Sequence, residues 1–296
     1  MMSPTEQASE SRPLLYVTTA VLMLSTVSPI TKSLLQHHDI APFDLVCLRV
    51  LIAFSCLFAI TLMGPWQELF QMPGTDIIRL TLLGILGVGA AYGFAGLALA
   101  YTSVSHYTLI YSLNPTFTAL FSLLLKKDQA STFKTIGISL SLAGCLLAIP
   151  VVTQDQTVGF GDLLALLFTI SASACVVLST GMVKRYGAVV ATTVMFGSSL
   201  CFLLLAAMFW SIPARFHVSL SNGLLIAYVG IATAAVFFFR NLSLKSLTPA
   251  TVGAFHNLVP ILVILTAYWF LDEPVTSQMV VGGLITLSGV ELVRRG

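Results

Sequence analysis

Charge is what this sequence has least of. Only 9% of its 296 residues are Asp, Glu, Lys or Arg, against about 25% in ordinary soluble domains, and 57% are hydrophobic. A soluble domain of this length could not hide that much apolar surface, so a water-soluble globular class is excluded. Carboxylates are scarcest where they would matter most. They fall in tails, connections and helix ends, with Asp44 and Glu291 the deepest. No mid-membrane carboxylate relay, the usual device for holding an organic cation or coupling protons, is expected. His256 is the remaining candidate proton site, because imidazole titrates near neutrality.

Other absences narrow the chemistry further. The five cysteines, Cys47, Cys56, Cys145, Cys175 and Cys201, lie in apolar runs without metal-ligand spacing. They read as small core residues, and neither a disulfide nor a metal site is implied. No HExxH, no GxSxG and no acidic pair within a span is present, so an intramembrane enzyme would lack its machinery. The phosphate-binding GxxxxGK[ST] loop is absent as well, so ATP does not drive this chain directly. No cofactor is implied. The net charge of +2 comes from scattered basic residues without an aromatic-interleaved patch, which argues against nucleic acid. The N-terminal MMSPTEQASESRP has no basic n-region or cleavage site, so the first apolar run is expected to be retained as a span. No soluble output domain or long loop supports a sensor or scaffold.

What is present is a succession of apolar runs of membrane-crossing length. Ten spans are expected, at roughly 14–31, 43–63, 77–100, 105–125, 133–152, 160–183, 189–212, 222–242, 249–271 and 275–293. Breakers punctuate them, among them Ala41-Pro42, Gly64-Pro65, Pro73-Gly74, Ile212-Pro213 and Glu273-Pro274. With the N-terminus in the cytoplasm, the inner segments carry Arg12, Arg79, Lys126, Lys127, Lys134, Lys184, Arg185, Lys245, Arg294 and Arg295. The outer segments carry Lys32 and Arg215. That bias supports an even span count with both termini cytoplasmic.

The chain also repeats itself. Residues 99–148 align without a gap on residues 244–293, at an offset of 145. Pro115 falls on Pro260, Asp128 on Glu273, Ser131 on Thr276, Gly137 on Gly282 and Gly144 on Gly289. Each copy reads as a helix with a central proline, an acidic turn and a helix with two glycines seven residues apart. With five spans per half, the second copy must lie upside down relative to the first. The expected fold is therefore an all-α polytopic membrane protein: two inverted five-helix repeats around a central cavity. The expected organisation is a disordered cytoplasmic tail at 1–13, a first repeat at 14–152, an outer connection at 153–159 and a second repeat at 160–296.

These pieces resemble the EamA-like family of the drug/metabolite transporter superfamily. The resemblance rests on ALAYTS, NPTFTALFSLLL and IGISLSLAG in the first copy, and on SLKSL, LVPILVILTAYWFLDEP and VGGLITLSG in the second. Arg49 in LRVLIAF matches an arginine common in the family's second helix. The first copy departs at Lys127-Asp128, where the family usually has Gly-Glu; because this is a connection, little effect is expected. The resemblance implies a bacterial inner-membrane carrier working by alternating access, and it leaves the substrate open.

Candidate substrate contacts are the polar and aromatic residues buried in spans. Arg240, after Val236-Phe237-Phe238-Phe239, reads as an anion anchor or as an arginine snorkelling to inner headgroups beside Lys245. Arg49 reads as structural, paired with a carbonyl or Asp44, or as a substrate contact. His256 and Asn257 precede Pro260 as Tyr111 precedes Pro115, so two-fold symmetry places Tyr111 and His256 across the cavity from each other. Tyr107, Tyr111 and Asn114 share a helix face that Thr118 continues, and Tyr92, Phe94 and Phe239 can add to that wall. Pro29, Pro115 and Pro260 are candidate hinges. Gly84, Gly87, Gly89, Gly93 and Gly96 read as close helix packing in the third span. Trp66, Trp210 and Trp269 read as interfacial anchors. Two arginines without a buried carboxylate suit an anionic or zwitterionic metabolite, such as an amino acid, better than a quaternary-amine drug. A monomer suffices, since one chain holds both repeats.

Overall fold

The computed structural model describes residues 4–37, 40–64, 66–126, 131–148, 156–210, 219–243, 255–256 and 258–295. Among the described residues the regular elements are all helical. In chain order they are α1 (Pro4–His37), α2 (Pro42–Met63), α3 (Trp66–Phe70) and α4 (Gly74–Gly84). A π-helical stretch (Ile85–Ala90) then leads into α5 (Ala91–Tyr101), α6 (Val104–Tyr111), α7 (Asn114–Leu124) and α8 (Thr132–Ala148). After these come α9 (Gln156–Tyr186), α10 (Ala188–Trp210), α11 (Leu220–Ser243), α12 (Val259–Leu271) and α13 (Ser277–Arg295).

Six segments are long and apolar enough to cross a bilayer: Pro13–Gln36, Pro42–Met63, Gly74–Tyr101, Gly159–Tyr186, Ala188–Ala207 and Leu220–Arg240. Thr132–Ala148 and Val259–Leu271 are shorter apolar helices. Their outward faces carry large exposed hydrophobic side chains, including Leu22, Leu62, Leu146, Leu205 and Phe270. Such a surface is stable against lipid and not against water. The chain is a multi-pass membrane protein.

One difference from the sequence expectation concerns residues 105–125. They form two helices, α6 and α7, with a break at Ser112–Leu113. The cause is Pro115 in the first turn of α7, which cannot donate the amide that would continue α6. Around the break, Leu113 N–H donates to Ile110 O at 3.1 Å and Phe117 N–H to Leu113 O at 2.9 Å. The second copy has the same pattern 145 residues later: Leu258 N–H to Phe255 O at 3.1 Å, and Leu262 N–H to Leu258 O at 3.0 Å. The capping of the next helix repeats too. Ser131 Oγ accepts Lys134 N–H at 3.1 Å, and Thr276 Oγ1 accepts Met279 N–H at 3.2 Å.

The paired glycines set the relation between the copies. A Cβ on Gly137 would lie 2.6 Å from Val293 N, and one on Gly282 would lie 2.5 Å from Ala148 N. Gly144 faces Thr286 N at 2.5 Å, and Gly289 faces Ser141 N at 2.4 Å. Each contact maps onto another at the 145 offset, and residue numbers rise on α8 as they fall on α13. The two helices therefore cross antiparallel, with backbones as close as glycine allows. Elsewhere α1 packs on α11 and α12, while α9 packs on α5, α6 and α7; α2 lies against α10 and α11. These pairings exchange α1 for α9, as two structurally related halves require.

α1 runs unbroken through Pro29. A helical proline leaves the carbonyl four residues earlier without its amide. That carbonyl, Ser25 O, accepts the Thr266 hydroxyl of α12 at 3.4 Å.

Candidate functional site

The interior of the bundle holds two guanidinium groups joined by aromatic rings. Arg49 projects from α2. Its Nε donates to Thr233 Oγ1 of α11 at 2.9 Å, and its Cζ lies 4.5 Å from the Tyr92 ring centroid. These partners replace the expected carbonyl or Asp44. Tyr92 is the second residue after the π-helical stretch, whose wider turn shifts the register of the side chains after it. The Tyr92 ring is stacked on Phe168 at 6.4 Å and meets Phe196 edge-on at 6.0 Å. Phe196 meets Phe237 edge-on at 5.6 Å, and the Arg240 guanidinium lies 5.1 Å from the Phe237 centroid. Cation–π contacts of this kind are worth about 0.5–2 kcal/mol each, more as water is excluded.

The aromatic group extends across α9 to α6. Phe168 stacks on Tyr107 at 5.7 Å and on Tyr111 at 5.3 Å, and the two tyrosines are parallel at 6.4 Å. Phe168 and Phe196 are buried, while Arg49, Arg240, Tyr92 and Tyr111 are half-buried. Arg240 is within electrostatic reach of both Tyr92 and Tyr111. The arrangement offers two fixed positive charges beside stacked ring faces.

The structure therefore brings together Arg49, Tyr92, Tyr107, Tyr111 and Arg240. Phe239, expected to add to the tyrosine wall, is stacked on Tyr16 of α1 at 5.9 Å; Phe237 is the phenylalanine that meets Arg240. Asn114 opens α7, and its carbonyl accepts Ser173 Oγ of α9 at 3.1 Å. His256 is half-buried just before the second break, and Asn257 lies outside the described residues. Pro115 and Pro260 each sit in the first turn of the helix after a break. Trp66 and Trp269 are exposed at helix ends.

Sequence reasoning did not single out Phe168, Phe196, Phe237 or Thr233. In an apolar span a phenylalanine facing lipid and one facing the interior look alike. Nor did it find the buried carboxylate Asp76, 4% exposed, which accepts Arg185 Nη1 at 2.9 Å and the Tyr186 hydroxyl at 2.6 Å. Asp76 lies in a segment read as a connection. Among the described residues no group of three or more His, Cys, Asp or Glu could hold a metal ion.

The chain as a whole is similar to known membrane proteins. The family model described as the EamA-like transporter family matches twice, over residues 11–149 and 159–295. An uncharacterised transporter of Archaeoglobus fulgidus is 26% identical over 86% of this chain and 88% of its own length. One from Clostridium kluyveri is 24% identical over 93% and 90%. The uncharacterised transporter YyaM of Bacillus subtilis is 28% identical over 77% and 75%. A solved crystal structure shares the fold with a TM-score of 0.68 at 20% identity, covering 95% of this chain and 96% of that one. With two matched copies spanning nearly its whole length, the chain belongs to the EamA-like transporter family.

Proposed function

We propose that the protein is a secondary carrier, an exporter or facilitator, of small organic anions or zwitterions such as amino acids. The observation that carries this reading is the pair of guanidinium groups, Arg49 and Arg240, linked through Tyr92, Phe196 and Phe237. A carboxylate or phosphate would be held by charge-assisted hydrogen bonds from a guanidinium fork, with the rest of the molecule against the ring faces. A quaternary amine would suit the rings alone but would be repelled by both arginines.

In this reading ten spans form two inverted five-helix units, 14–152 and 160–296, around a central cavity in the bacterial inner membrane. Both termini are cytoplasmic and a monomer suffices. The antiparallel glycine crossing of α8 and α13 supports the inverted arrangement. The matched breaks before Pro115 and Pro260 support hinge motion there, with Pro29 a further bend point, because discontinuous helices at related positions mark transport sites in repeat carriers. Tyr111 and His256 are the repeat-related pair expected to line opposite walls, with Asn257 and Asn114 beside them. A gradient of the solute or of a coupled ion supplies the energy.

Proteoliposome flux and thermal-shift binding with amino acids, organic acids, nucleobases and quaternary amines test the reading, since a ligand of the native state raises its apparent stability. Anionic or zwitterionic solutes should move, and Arg240→Ala should impair that flux while the protein still expresses. Undiminished flux in Arg240→Ala removes the anchor role. Movement of quaternary amines alone would favour the drug-efflux alternative, and no movement or binding of any solute a sensor or scaffold.

A further inference from the structure

At the end of the bundle opposite Asp76, four separate parts of the chain meet in a buried polar cluster. Lys32 of α1, 6% exposed, donates Nζ to Thr102 O at 2.8 Å. The Thr102 hydroxyl donates to Asp162 Oδ1 of α9. The other oxygen of that carboxylate lies 3.5 Å from Nδ1 of His106, in the first turn of α6. Glu273, just beyond α12, accepts Val104 N–H at 2.7 Å, Ser105 N–H at 3.0 Å and Ser105 Oγ–H at 2.9 Å. Lys32, Thr102 and His106 belong to the first copy, whereas Asp162 and Glu273 belong to the second.

Packing leaves no slack here. A Cβ on Gly161, beside Asp162, would fall 2.7 Å from Thr102 N. Any separation of the two copies at this end must therefore break the Thr102–Asp162, His106–Asp162 and Glu273–Ser105 contacts. Charge decides when that is costly. Lys32 contributes one positive charge and the two carboxylates two negative ones, so a neutral imidazole leaves the cluster at a net charge of minus one. An imidazolium brings it to zero and turns the 3.5 Å approach into an ion pair. His106 Nδ1 is buried and has no hydrogen-bond partner among the described residues, which is the place an added proton would fill. On the elements packed against α6, the charged and titratable groups nearest this end are Asp162 on α9, Lys32 on α1, Glu273 after α12 and Cys145 on α8; Asp272 and Tyr101 are exposed and lie outside the buried cluster.

We propose that His106 and Asp162 form a proton-binding site, and that the bound proton holds this end of the molecule closed. The sign follows from linkage. Only the closed arrangement sets the imidazole against the Asp162 carboxylate, so an added proton has its countercharge there and loses it when the copies part. Closure is then favoured by acid and weakened by alkali. That a proton gradient is coupled to solute movement through this site rests on the carrier reading above; the site itself does not.

Hydrogen–deuterium exchange of the full chain in lipid nanodiscs tests this with protons as the only ligand. Labelling times are scaled to the intrinsic exchange rate at each pH. In wild type the amides of residues 102–108 should exchange several-fold more slowly at about pH 6 than at about pH 8, because the buried cluster is neutral only with the proton bound. Amides of α2 serve as the reference. His106→Gln and Asp162→Asn should each abolish the difference; Asp162→Asn keeps an acceptor for Thr102 and is the gentler change should His106→Gln fail to fold. Equal protection at both pH values in wild type, or a pH difference that survives either substitution, overturns the proposal. The readout needs no solute. A protein that moves nothing but shows the protection keeps the proton site and loses the carrier reading; one that moves solute without it does the reverse.

Discussion

Arg49 stands over Tyr92, its guanidinium carbon 4.5 Å from the ring centroid, while Nε is held by Thr233 at 2.9 Å. The pair joins α2, α5 and α11, so it fixes a charge at a defined depth between the two copies. A planar guanidinium can lie on a ring and direct donors sideways at once, which an ammonium cannot. Arg49→Lys should therefore behave more like Arg49→Ala than like wild type. Each should lower thermal stability by about 0.5–2 kcal/mol and weaken binding of an anionic ligand in a thermal-shift titration. A lysine variant with wild-type binding would mean that charge alone suffices.

Glu273 caps α6 with both carboxylate oxygens, where the amides at a helix N-terminus have no partners within the helix. Glu273→Ala should cost about 1–2 kcal/mol, and Glu273→Gln, which keeps an acceptor, less. Unfolding of the purified variants monitored by circular dichroism gives the order.

Gly144 and Gly289 occupy related places in the α8–α13 crossing, so their substitutions should cost alike. Alanine at either puts a Cβ within 2.5 Å of backbone nitrogen, and the loss should be about 1–3 kcal/mol, as for other overpacked contacts. Gly93→Ala is the control, since nothing lies within 4 Å of its Cβ position. Melting temperatures that fall equally for all three would disprove a tight crossing.

At Asp76 the two partners should differ in weight. Arg185 is 61% exposed, so its ion pair is screened and Arg185→Ala should cost less than about 1 kcal/mol. Asp76→Asn disturbs a buried acceptor of the Tyr186 hydroxyl and should cost about 1–3 kcal/mol. The two melting curves, compared with Tyr186→Phe, separate the contributions.

The repeat was legible because glycine, proline and capping residues act locally. Pro115 and Pro260 each withhold an amide from the helix ladder whatever surrounds them, and Ser131 and Thr276 cap the next helix through their own hydroxyls. Even so, the sequence read residues 105–125 as one span, because periodicity continues across a break of two residues. Arg49, Tyr92, Tyr107, Tyr111 and Arg240 were found because a polar or aromatic group in an apolar run is conspicuous.

By itself, then, the sequence determined membrane residence, the duplicated design and the polar candidates: each depends on composition or on spacing along one chain. Only tertiary structure decided which phenylalanines turn inward, since Phe168, Phe196 and Phe237 differ from lipid-facing neighbours in nothing but direction. It also decided the pairing of charges. Asp162 and Glu273 sit in connections or helix ends, where a carboxylate ordinarily meets water, and they became structural because antiparallel packing carried His106, Thr102 and the start of α6 to them. Partners 56 to 169 residues apart cannot be read from local pattern, because the free energy that joins them arises only once the helices have packed.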